Sequence, residues 1–584
     1  MFRPPLRAAL TLGVSTALLA GPTLAHSALP AAGADPLAKY TAQQLTWEPC
    51  SFNYGQPSST QCAFLTVPRD WAKPDSGKDL RVYVSKVPAT GPKASYLGVL
   101  LTNPGGPGGQ GASLPQSLAQ LQPKLNAAYD VLGMDPRGTG QEGGSDEAAL
   151  GSTCKVPLDR LPTGLLDARD RSRDSIRQHQ QIPLVVAQAC QSVAEAPYIT
   201  TWQTAHDMDL YRQLLGAPKL NYVGYSYGTW LGAKYASLFP ATTGRFVLDS
   251  SVNWQGRLQA DFEDFPRMGQ RQTDKVFLPW LNRVSPETFG TTVASARKAI
   301  ELGRKNAVGL GISPDQYDTL LVGNGSQVGW FIALINLTFI IELEPAAQQR
   351  LSSLPAGLRQ LADEAAKQRL GVPLAQLTTA TLVAKNLGVD PTDYGLVPLT
   401  RYAVACGDQT TKTTQWYKNL SDSQGPQYPI FGWQYGLTEV CGPWSDEPRQ
   451  ELPLLSKAAA RNVLVVQGEF DPQTAYEQAM AAVDKAPNVS VLRVDDSPFH
   501  GQYAIQGNPC VDGVVNTYLL FGSKVANGLC PSIPLPGEKE VFATRGPVDA
   551  YLKQGKHAAK VELTTRNAYL GRELADTISM ANNP

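Results

Sequence analysis

Three residues of this chain have the types and the order needed for nucleophilic catalysis. Ser226 lies in the segment G-Y-S-Y-G at 224–228, and Asp471 and His500 follow two later apolar runs. A serine hydroxyl becomes an effective nucleophile only when an imidazole removes its proton. A carboxylate must in turn hold that imidazole in the correct tautomer and stabilise its cation. The three side chains together therefore predict an acyl-transfer site.

The segment around Ser226 predicts a sharp turn between a strand and a helix. An apolar run precedes it at residues 220–225, and Leu231, Tyr235 and Leu238 follow it at helical spacing. Glycines on both sides of the turn leave room for the backbone, so the serine hydroxyl is exposed above the sheet. The alternative is a glycine-rich turn whose serine only caps the next helix.

The positions of the histidines and carboxylates in the chain indicate which of them act as base and acid. Only His500 and His557 follow Asp471, and His557 lies among lysines in the tail, so His500 is the preferred base. The order serine, acid, histidine is that of the α/β-hydrolase triad. Asp471 lies well into its loop and precedes Pro472, although it could also be only a helix N-cap. Three other carboxylates compete for the acid role: Glu469, Asp495 and Asp496.

A glycine-rich loop precedes the serine segment. Residues 102–111 read T-N-P-G-G-P-G-G-Q-G and follow an apolar run at 97–101. In acyl-transfer enzymes such a loop supplies one backbone N–H to the oxyanion, and the residue after the nucleophile, here Tyr227, supplies the other. The loop lacks the G-K-[S/T] ending of a phosphate-binding loop. A plain Gly/Pro turn is the alternative.

Strand and helix patterns alternate in two parts of the chain, separated by a long interruption. This alternation predicts an α/β fold with a mostly parallel sheet covered by helices. Residues 251–460 show mainly amphipathic helix patterns, which predict a large helical cap inserted before the strand that carries the acid. Strands are predicted at 79–87, 97–101, 129–134, 220–225, 245–248, 461–466 and 489–494, and helices at 204–215, 228–239, 475–484 and 510–521.

The same patterns predict how the chain divides. We expect the tail, with its basic patch near His557, to present a solvated surface. The predicted segments are a signal peptide at 1–28, a flexible N-terminal or pro-segment at 29–44, the first part of the core at 45–250, the cap at 251–460, the second part of the core at 461–530 and a C-terminal extension at 531–584.

The N-terminus and the cysteines both predict export. Basic residues, an apolar run at 8–20 and small residues at 21–28 have the three parts of a signal peptide, with cleavage after Ala25 or Ala28. Eight cysteines behind such a segment predict disulfides formed outside the cell. The simplest pairing joins nearest neighbours: Cys50 with Cys62, Cys154 with Cys190, Cys406 with Cys441, and Cys510 with Cys530.

Composition argues against several other classes of protein. Lys+Arg and Asp+Glu are equal at 51 each, so no excess charge favours nucleic acid. The N-terminal apolar run is too short to span a membrane, so we expect no insertion after signal removal. No C-x-x-C motif and no histidine pair at ligand spacing occur, so we expect no metal, and the triad needs no cofactor. Serine at the turn excludes dehalogenases and epoxide hydrolases, which carry aspartate there.

Five motifs together resemble the secreted tripeptidyl aminopeptidases of actinomycetes, in the prolyl aminopeptidase clan of α/β-hydrolases. They are P-G-G-P-G at 104–108, D-P-R-G-T-G at 135–140, G-Y-S-Y-G-T at 224–229, G-E-F-D-P at 468–472 and F-H-G-Q-Y at 499–503. The resemblance covers about residues 45–530, and its last part corresponds to the TAP-like region of that family.

The resemblance also implies roles for individual residues. Ser226 would be the nucleophile, Asp471 the acid and His500 the base, with the N–H groups of Gly106 and Tyr227 as the oxyanion hole. The D-P-R-G-T-G loop would be a structural turn near the site. Two positions depart from the family: Pro104 replaces the histidine of H-G-G-P-G, and Gln141 replaces a serine that often closes the loop at 135–140.

The implied activity is that of a secreted serine exopeptidase that releases tripeptides, or similar short peptides, from free N-termini through an acyl-enzyme. Its substrates would be peptides with a free ammonium group, which a cap carboxylate would bind. Trp330, Phe331 and Trp433 would either wall the pocket or fill the cap core. The alternatives are a secreted carboxylesterase or lipase with the same triad, and an inactive hydrolase fold used for binding or adhesion. The candidate carboxylates for the ammonium are Glu342, Glu344, Asp408 and Glu439.

Overall fold

The computed structural model describes residues 35–52, 59–144, 151–321, 325–386, 395–524, 527–555 and 559–560. The predicted signal peptide and His557 lie outside these ranges. Among the described residues, the strands are β1 (Glu48–Pro49), β2 (Gln61–Pro68), β3 (Asp79–Val87), β4 (Gly98–Asn103), β5 (Tyr129–Met134), β6 (Thr153–Lys155), β7 (Leu220–Tyr225), β8 (Thr243–Asp249), β9 (Leu396–Pro398), β10 (Val463–Gly468), β11 (Ser490–Asp495), β12 (Asn527–Pro531) and β13 (Ala559–Lys560).

Eleven of these strands form one sheet, in the order β1-β2-β3-β5-β4-β7-β8-β10-β11-β12-β13. The strands from β1 to β3 are antiparallel to their neighbours, and β3 is antiparallel to β5. Every pair from β5 to β13 is parallel. The prediction of an α/β fold with a mostly parallel sheet is confirmed. The antiparallel edge strands β1 and β2 were not predicted.

Helices cover both faces of the sheet, as the apolar character of its strands requires. In β10, Val463 and Val465 join one hydrophobic cluster, whereas Leu464 and Val466 join another on the opposite face. Successive side chains of a strand point to opposite faces, so a strand buried on both sides is apolar throughout. Because β7, β10 and β11 run in the same direction through the sheet, their carboxyl ends lie at the same edge of it.

The helices outside the cap mostly accompany the parallel strands. They are α1 (Ala38–Thr41), α2 (Leu114–Leu121), α3 (Pro123–Ala128), α4 (Arg173–Gln191), α5 (Thr201–Leu214), α6 (Tyr227–Leu238), α20 (Lys457–Ala460), α21 (Tyr476–Asp484), α22 (Pro509–Phe521) and α23 (Pro547–Lys553).

Between β8 and α20, the regular elements of the described residues are helices, apart from β9. The helices of this cap are α7 (Leu258–Glu263), α8 (Phe265–Gln272), α9 (Leu278–Val284), α10 (Pro286–Phe289), α11 (Val293–Gly309), α12 (Pro314–Thr319), α13 (Gln327–Glu342), α14 (Ala346–Ser352), α15 (Ala356–Leu370), α16 (Thr379–Asn386), α17 (Leu399–Gly407), α18 (Thr414–Gln424) and α19 (Tyr435–Thr438). Short 3-10 turns and one π-helical turn at Thr273–Phe277 connect some of them.

The segment before β7 contributes to the cap as well. Strand β6 pairs with β9 of the cap in a separate antiparallel sheet. His179 on α4 lies 2.7 Å from Asp315 on α12, and Arg304 on α11 binds Asp167. The cap therefore draws on two separated parts of the chain. The boundary at residue 250 stays a prediction.

Four disulfides join Cys50 to Cys62, Cys154 to Cys190, Cys406 to Cys441, and Cys510 to Cys530. This is the nearest-neighbour pairing expected from the sequence. Each bond closes a local loop: Cys406–Cys441 lies within the cap, and Cys154–Cys190 joins β6 to α4. Over the ranges that the structure describes, no helix is both long enough and apolar enough to cross a membrane.

Candidate active site

Ser226 lies at the tip of a strained turn between β7 and α6. Its φ is 57° and its ψ is −127°, a conformation that non-glycine residues rarely adopt. Gly224 and Gly228 make the turn possible, because a Cβ at Gly224 would lie 2.4 Å from a ring carbon of Tyr222 and one at Gly228 would lie 2.7 Å from Asn103 Oδ1. Strain of this kind is retained where the surrounding structure fixes it, commonly at active sites.

His500 and Asp471 form a buried hydrogen-bonded pair. His500 Nδ1 lies 2.9 Å from Asp471 Oδ1 and 3.0 Å from Oδ2. Asp471 also accepts hydrogen bonds from the N–H groups of Gln473 and Thr474 and from the Thr474 hydroxyl. Burial acts to raise the pKa of Asp471, but the attraction of His500 and these donors outweigh it, so the pKa lies below its ordinary value. Asp471 is thus held as a carboxylate.

The carboxylates that compete with Asp471 in sequence are engaged elsewhere. Glu469 accepts the N–H groups of Asp496 at 2.9 Å and of Val548 at 2.7 Å, and Asp496 accepts the N–H of Thr544. These bonds hold the first part of the C-terminal extension against the end of β10. The structure therefore favours Asp471, and not Glu469 or Asp496, as the partner of His500.

The second ring nitrogen of His500 is the one that a catalytic base uses. Nε2 is buried and has no hydrogen-bond partner among the residues that the structure describes. The Ser226 hydroxyl is therefore not bonded to His500 in this state. Catalytic hydrogen bonds are often long before substrate binds and tighten in the complex.

The two residues of the predicted oxyanion hole, Gly106 and Tyr227, lie near Ser226. Tyr227 is the first residue of α6, so its N–H has no acceptor within the helix. Gly106 lines the same cavity as Ser226, with a φ of 115° that favours glycine. Both positions agree with the predicted oxyanion hole, whose catalytic role stays a proposal.

Asp135 holds the glycine loop in place. Its carboxylate accepts the N–H groups of Gly111 at 2.8 Å, Ala112 at 2.9 Å and Glu142 at 2.8 Å. Arg137 of the same D-P-R-G-T-G motif forms a buried ion pair with Asp207. This motif thus holds the glycine loop and is absent from the cavity lining among the described residues.

A cavity of about 730 Å³ extends from Ser226 into the cap. The core contributes Gly106, Ser226 and Gln473 to its wall. The cap contributes one face of α13, where Gly329, Ile332, Ala333 and Asn336 recur at helical spacing, together with aromatic residues of α8 and of the loop before α19. The volume and the mixed lining suit a short peptide or a small ester.

Glu439 is the predicted ammonium ligand that the structure brings to this cavity. It is half-buried in the cavity wall next to α19, where its Oε1 accepts the N–H of Cys441 at 3.1 Å. Among the described residues, no cation lies within 4.0 Å of its carboxylate, although Arg401 lines the same cavity. Burial raises the pKa of Glu439 above its ordinary value.

The other three candidate carboxylates do not line the cavity. Glu342 forms an ion pair with Arg350 at 3.1 Å. Glu344 is exposed and accepts the N–H of Thr379 at 2.6 Å. Asp408 is buried and bound by the N–H of Thr201 and the indole of Trp230. Each is occupied by a structural contact, so the structure does not support these three as substrate ligands.

The aromatic residues proposed as pocket walls lie elsewhere. Trp330 and Phe331 are in the hydrophobic core of the cap, where Trp330 packs against Phe277 and Phe499. Trp433 packs against Arg171. The walls are instead Phe262, Phe265, Ile332, Tyr402, Ile430 and Phe431. Helical periodicity alone does not distinguish residues of the cavity wall from residues of the cap core. It shows that one face of a helix is apolar but not which element packs against that face.

Among the described residues, two groups of side chains come close enough to hold a metal ion, but members of each group are engaged in other contacts. One consists of Cys406, Glu439 and Cys441, whose cysteines are joined in a disulfide. The other consists of Glu469, Asp495 and Asp496, in which backbone N–H groups bind both oxygens of Glu469.

Comparison with known families agrees with this geometry. A family model described as "alpha/beta hydrolase fold" matches residues 98–328, the span that contains β4, β5, β7, β8 and Ser226. A second model, described as "TAP-like protein", matches residues 428–530, the span that contains Asp471 and His500. The chain has the α/β-hydrolase fold. With serine at its elbow, this α/β hydrolase is a serine hydrolase.

Three curated proteins are similar to this α/β hydrolase. The tripeptidyl aminopeptidase of Streptomyces coelicolor is 27% identical over 498 residues, which cover 82% of this chain and 84% of that protein. Serine protease Hip1 of Mycobacterium tuberculosis is 25% identical over 513 residues, covering 83% and 90%. Carboxylesterase B of Mycobacterium tuberculosis is 31% identical over 207 residues, covering 33% and 37%.

Proposed function

We propose that this α/β hydrolase is a serine peptidase that releases tripeptides, or similar short peptides, from free N-termini. Ser226 attacks the scissile carbonyl while His500 takes its proton, and Asp471 stabilises the imidazolium that forms. The N–H groups of Gly106 and Tyr227 bind the oxyanion. The imidazolium of His500 gives its proton to the leaving amine nitrogen as the scissile C–N bond breaks, which leaves the acyl group on Ser226. Water then attacks the acyl-enzyme with His500 again acting as base, and the released Ser226 hydroxyl recovers its proton from His500.

The observation that carries the peptidase assignment is the place of Glu439. A half-buried carboxylate with no cation within ion-pair distance among the described residues lines the cavity that contains Ser226. An ester lacks a positive charge for such a group to bind, whereas a peptide with a free N-terminus presents an ammonium ion. Charge-assisted hydrogen bonds of this kind are among the stronger polar contacts. The tripeptidyl aminopeptidase and serine protease named above support the same reaction class.

The protein is proposed to act outside the cell. The signal-like N-terminus predicts export, and four disulfides are stable in an oxidising compartment.

A carboxylesterase is the second candidate, favoured by the similarity of one third of the chain to carboxylesterase B. Both enzymes would hydrolyse a nitrophenyl ester through the same triad, so ester turnover does not separate them. The N-terminus of the substrate does. We expect the purified protein to release Ala-Pro-Ala from an unblocked Ala-Pro-Ala anilide and to leave the N-acetylated anilide almost untouched. Ester hydrolysis without cleavage of the unblocked anilide would establish the esterase instead.

The role of Glu439 is tested by Glu439→Gln, which keeps the size of the side chain and removes its charge. Loss of a charge-assisted hydrogen bond worth about 1.5–3 kcal/mol should raise KM for the unblocked anilide by about 10- to 100-fold. Hydrolysis of a neutral nitrophenyl ester should be little changed. Glu344→Gln is the matched control, because Glu344 is an exposed cap carboxylate that does not line the cavity. Equal effects of the two substitutions would argue against Glu439 as the ammonium ligand.

A further inference from the structure

The turn that follows the histidine base donates hydrogen bonds from three consecutive backbone N–H groups to side chains at the end of β8. Gly501 donates to the Ser250 hydroxyl at 2.7 Å. Gln502 donates to both carboxylate oxygens of Asp249 at 3.0 Å, and Tyr503 donates to Oδ2 of Asp249 at 2.6 Å. The turn is thus held by a neighbouring strand, two positions away from β11 in the sheet.

Asp249 contacts the nucleophile as well. Its backbone carbonyl accepts the N–H of Ser226 at 3.0 Å. It is the last residue of β8, which lies between β7, the strand before Ser226, and β10, the strand before Asp471. Its side chain is fully buried. One buried residue therefore binds the nucleophile through its main chain and the turn after His500 through its carboxylate.

The position of the imidazole depends on contacts of this kind. The only side-chain partner of the His500 ring among the described residues is Asp471, on Nδ1. The ring can reach Ser226 with Nε2 only if the backbone that carries it is fixed. On the side of the cap, the His500 N–H donates to the Gly325 carbonyl at 2.8 Å. On the side of the core, the backbone is fixed by Asp249 and Ser250.

We infer that Asp249 is a positioning residue for the base: its carboxylate holds residues 501–503 so that Nε2 of His500 faces the Ser226 hydroxyl. Asp249 does not act as a second acid, because its oxygens bind backbone N–H groups and Asp471 already occupies Nδ1. The inference rests on the serine-hydrolase mechanism of the proposed function and is independent of the peptide substrate.

Asp249→Asn tests this role with a neutral side chain of nearly the same size. An amide keeps one acceptor oxygen, but its NH₂ group faces at least one of the N–H donors of Gln502 and Tyr503. A displacement of the base by about 1 Å lowers the rate by about 10²-fold. We expect kcat for a nitrophenyl ester to fall by this factor with KM nearly unchanged. Covalent labelling of Ser226 by a fluorophosphonate should slow in the same proportion.

The matched control is Asp512→Asn. Asp512 also accepts a backbone N–H from this loop, that of Ala504 at 2.7 Å, but further along the chain from His500. Both variants should lower the melting temperature, whereas only Asp249→Asn should lower kcat and the labelling rate. Similar losses of kcat in the two variants, or an unchanged kcat in a folded Asp249→Asn protein, would overturn the inference.

Ser250→Ala provides a second variant if Asp249→Asn does not fold. It removes the acceptor of the Gly501 N–H and leaves the acceptors of the Gln502 and Tyr503 N–H groups on Asp249, so the kcat loss should have the same sign and be smaller. An unchanged kcat in Ser250→Ala would count against the positioning of this turn by β8. Wild-type protein that fluorophosphonate does not label at Ser226 would instead refute the serine-hydrolase mechanism itself.

Discussion

The hydrogen bond between Asp471 and His500 requires a carboxylate at position 471, and an amide cannot replace it. Asp471 must accept the Nδ1 proton and stabilise the imidazolium, whereas asparagine favours the wrong tautomer. We expect Asp471→Asn to lower kcat by about 10⁴-fold with an intact fold, as such a change does in another serine hydrolase. Steady-state kinetics and circular dichroism measure the two effects.

Glu469→Gln is the control for that substitution. Glu469 is also buried at the end of β10, but it binds the N–H groups of Asp496 and Val548 and not the histidine. Its replacement should lower stability, because an amide cannot accept both N–H groups with both of its terminal atoms, and should lower kcat much less than Asp471→Asn does. A larger loss of kcat in Glu469→Gln than in Asp471→Asn would reverse the assignment of the acid.

Glu439 gives substrate binding a pH dependence whose sign follows from its raised pKa. Burial raises that pKa, so the Glu439 carboxylate takes up a proton at a higher pH than an exposed glutamate does. Ammonium binding requires the ionised form, and KM for an unblocked peptide should therefore rise as the pH falls through this pKa. KM should also rise above about pH 8, where the substrate's own α-amino group loses its proton.

A substrate without an ammonium group separates the titration of Glu439 from the titration of the triad. KM for a neutral nitrophenyl ester should lack both limbs in wild-type protein. In Glu439→Gln, the acidic limb should disappear for the unblocked peptide too. An acidic limb that persists unchanged in Glu439→Gln would assign it to another group of the cavity.

The elbow between β7 and α6 depends on glycine for its close packing. A Cβ at Gly224 would meet Tyr222 Cε1 at 2.4 Å and the Gly228 carbonyl at 2.6 Å, and both neighbours are buried. Overpacking of this size costs about 1–3 kcal/mol, so Gly224→Ala should lower the free energy of unfolding by that amount. It should also displace Ser226 and reduce kcat. Chemical denaturation and ester kinetics measure both.

A glycine in an open position is the control for the elbow. A Cβ at Gly357 on α15 would meet nothing within 4 Å. Alanine there should stabilise the protein by about 0.5–1 kcal/mol, because glycine loses more conformational freedom in a helix. Destabilisation by Gly357→Ala, or none by Gly224→Ala, would contradict the packing at these sites.

The strands of the parallel sheet were predictable because they are apolar on both faces. The predicted strands at 129–134 and 220–225 coincide with β5 and β7. The predicted strand at 79–87 coincides with β3, an antiparallel strand whose polar and apolar residues alternate. The turn between β7 and α6 was predictable because it needs glycines, which have no Cβ, at positions that the local sequence shows. Strand β2 is not among the predicted strands, although its burial largely alternates along the chain. Helix α4 is not among the predicted helices, because it contains Pro183 and proline usually ends a helix.

The substrate side of the site was less predictable, because it depends on how the cap folds. Glu342, Glu344, Asp408 and Glu439 are alike in sequence, and only the tertiary structure places Glu439 in the cavity. The same holds for the apolar wall, which Phe265 and Phe431 form in place of Trp330. Asp249 gave no signal in the sequence, since a polar residue at a strand end has many ordinary roles.

The cap and the core form a continuous structure around the triad. Phe470 and Phe499, the residues directly before Asp471 and His500, belong to the hydrophobic cluster of the cap. His500 also donates its N–H to Gly325, just before α13, the helix that lines the cavity. The acid and base loops are thus packed against the element that contacts the substrate, so a change in the cap can alter kcat as well as KM.

The disulfides connect the fold as a whole to substrate binding in one place. Cys406 lies on α17, which contributes Arg401 and Tyr402 to the cavity, and Cys441 donates its N–H to Glu439. The bond between Cys406 and Cys441 therefore joins two parts of the cavity wall. Removing it should release Glu439 in addition to destabilising the protein by about 2–4 kcal/mol.

The variant Cys406→Ser with Cys441→Ser should consequently raise KM for the unblocked Ala-Pro-Ala anilide by about tenfold, the equivalent of about 1.4 kcal/mol of binding. Its ester kinetics should change little at a temperature where it stays folded. The control is Cys50→Ser with Cys62→Ser, because that bond joins β2 to the segment after β1, away from the cavity. The control should lower the melting temperature and leave KM for the anilide unchanged. An equal rise of KM in both double variants would show that the disulfides act only through global stability.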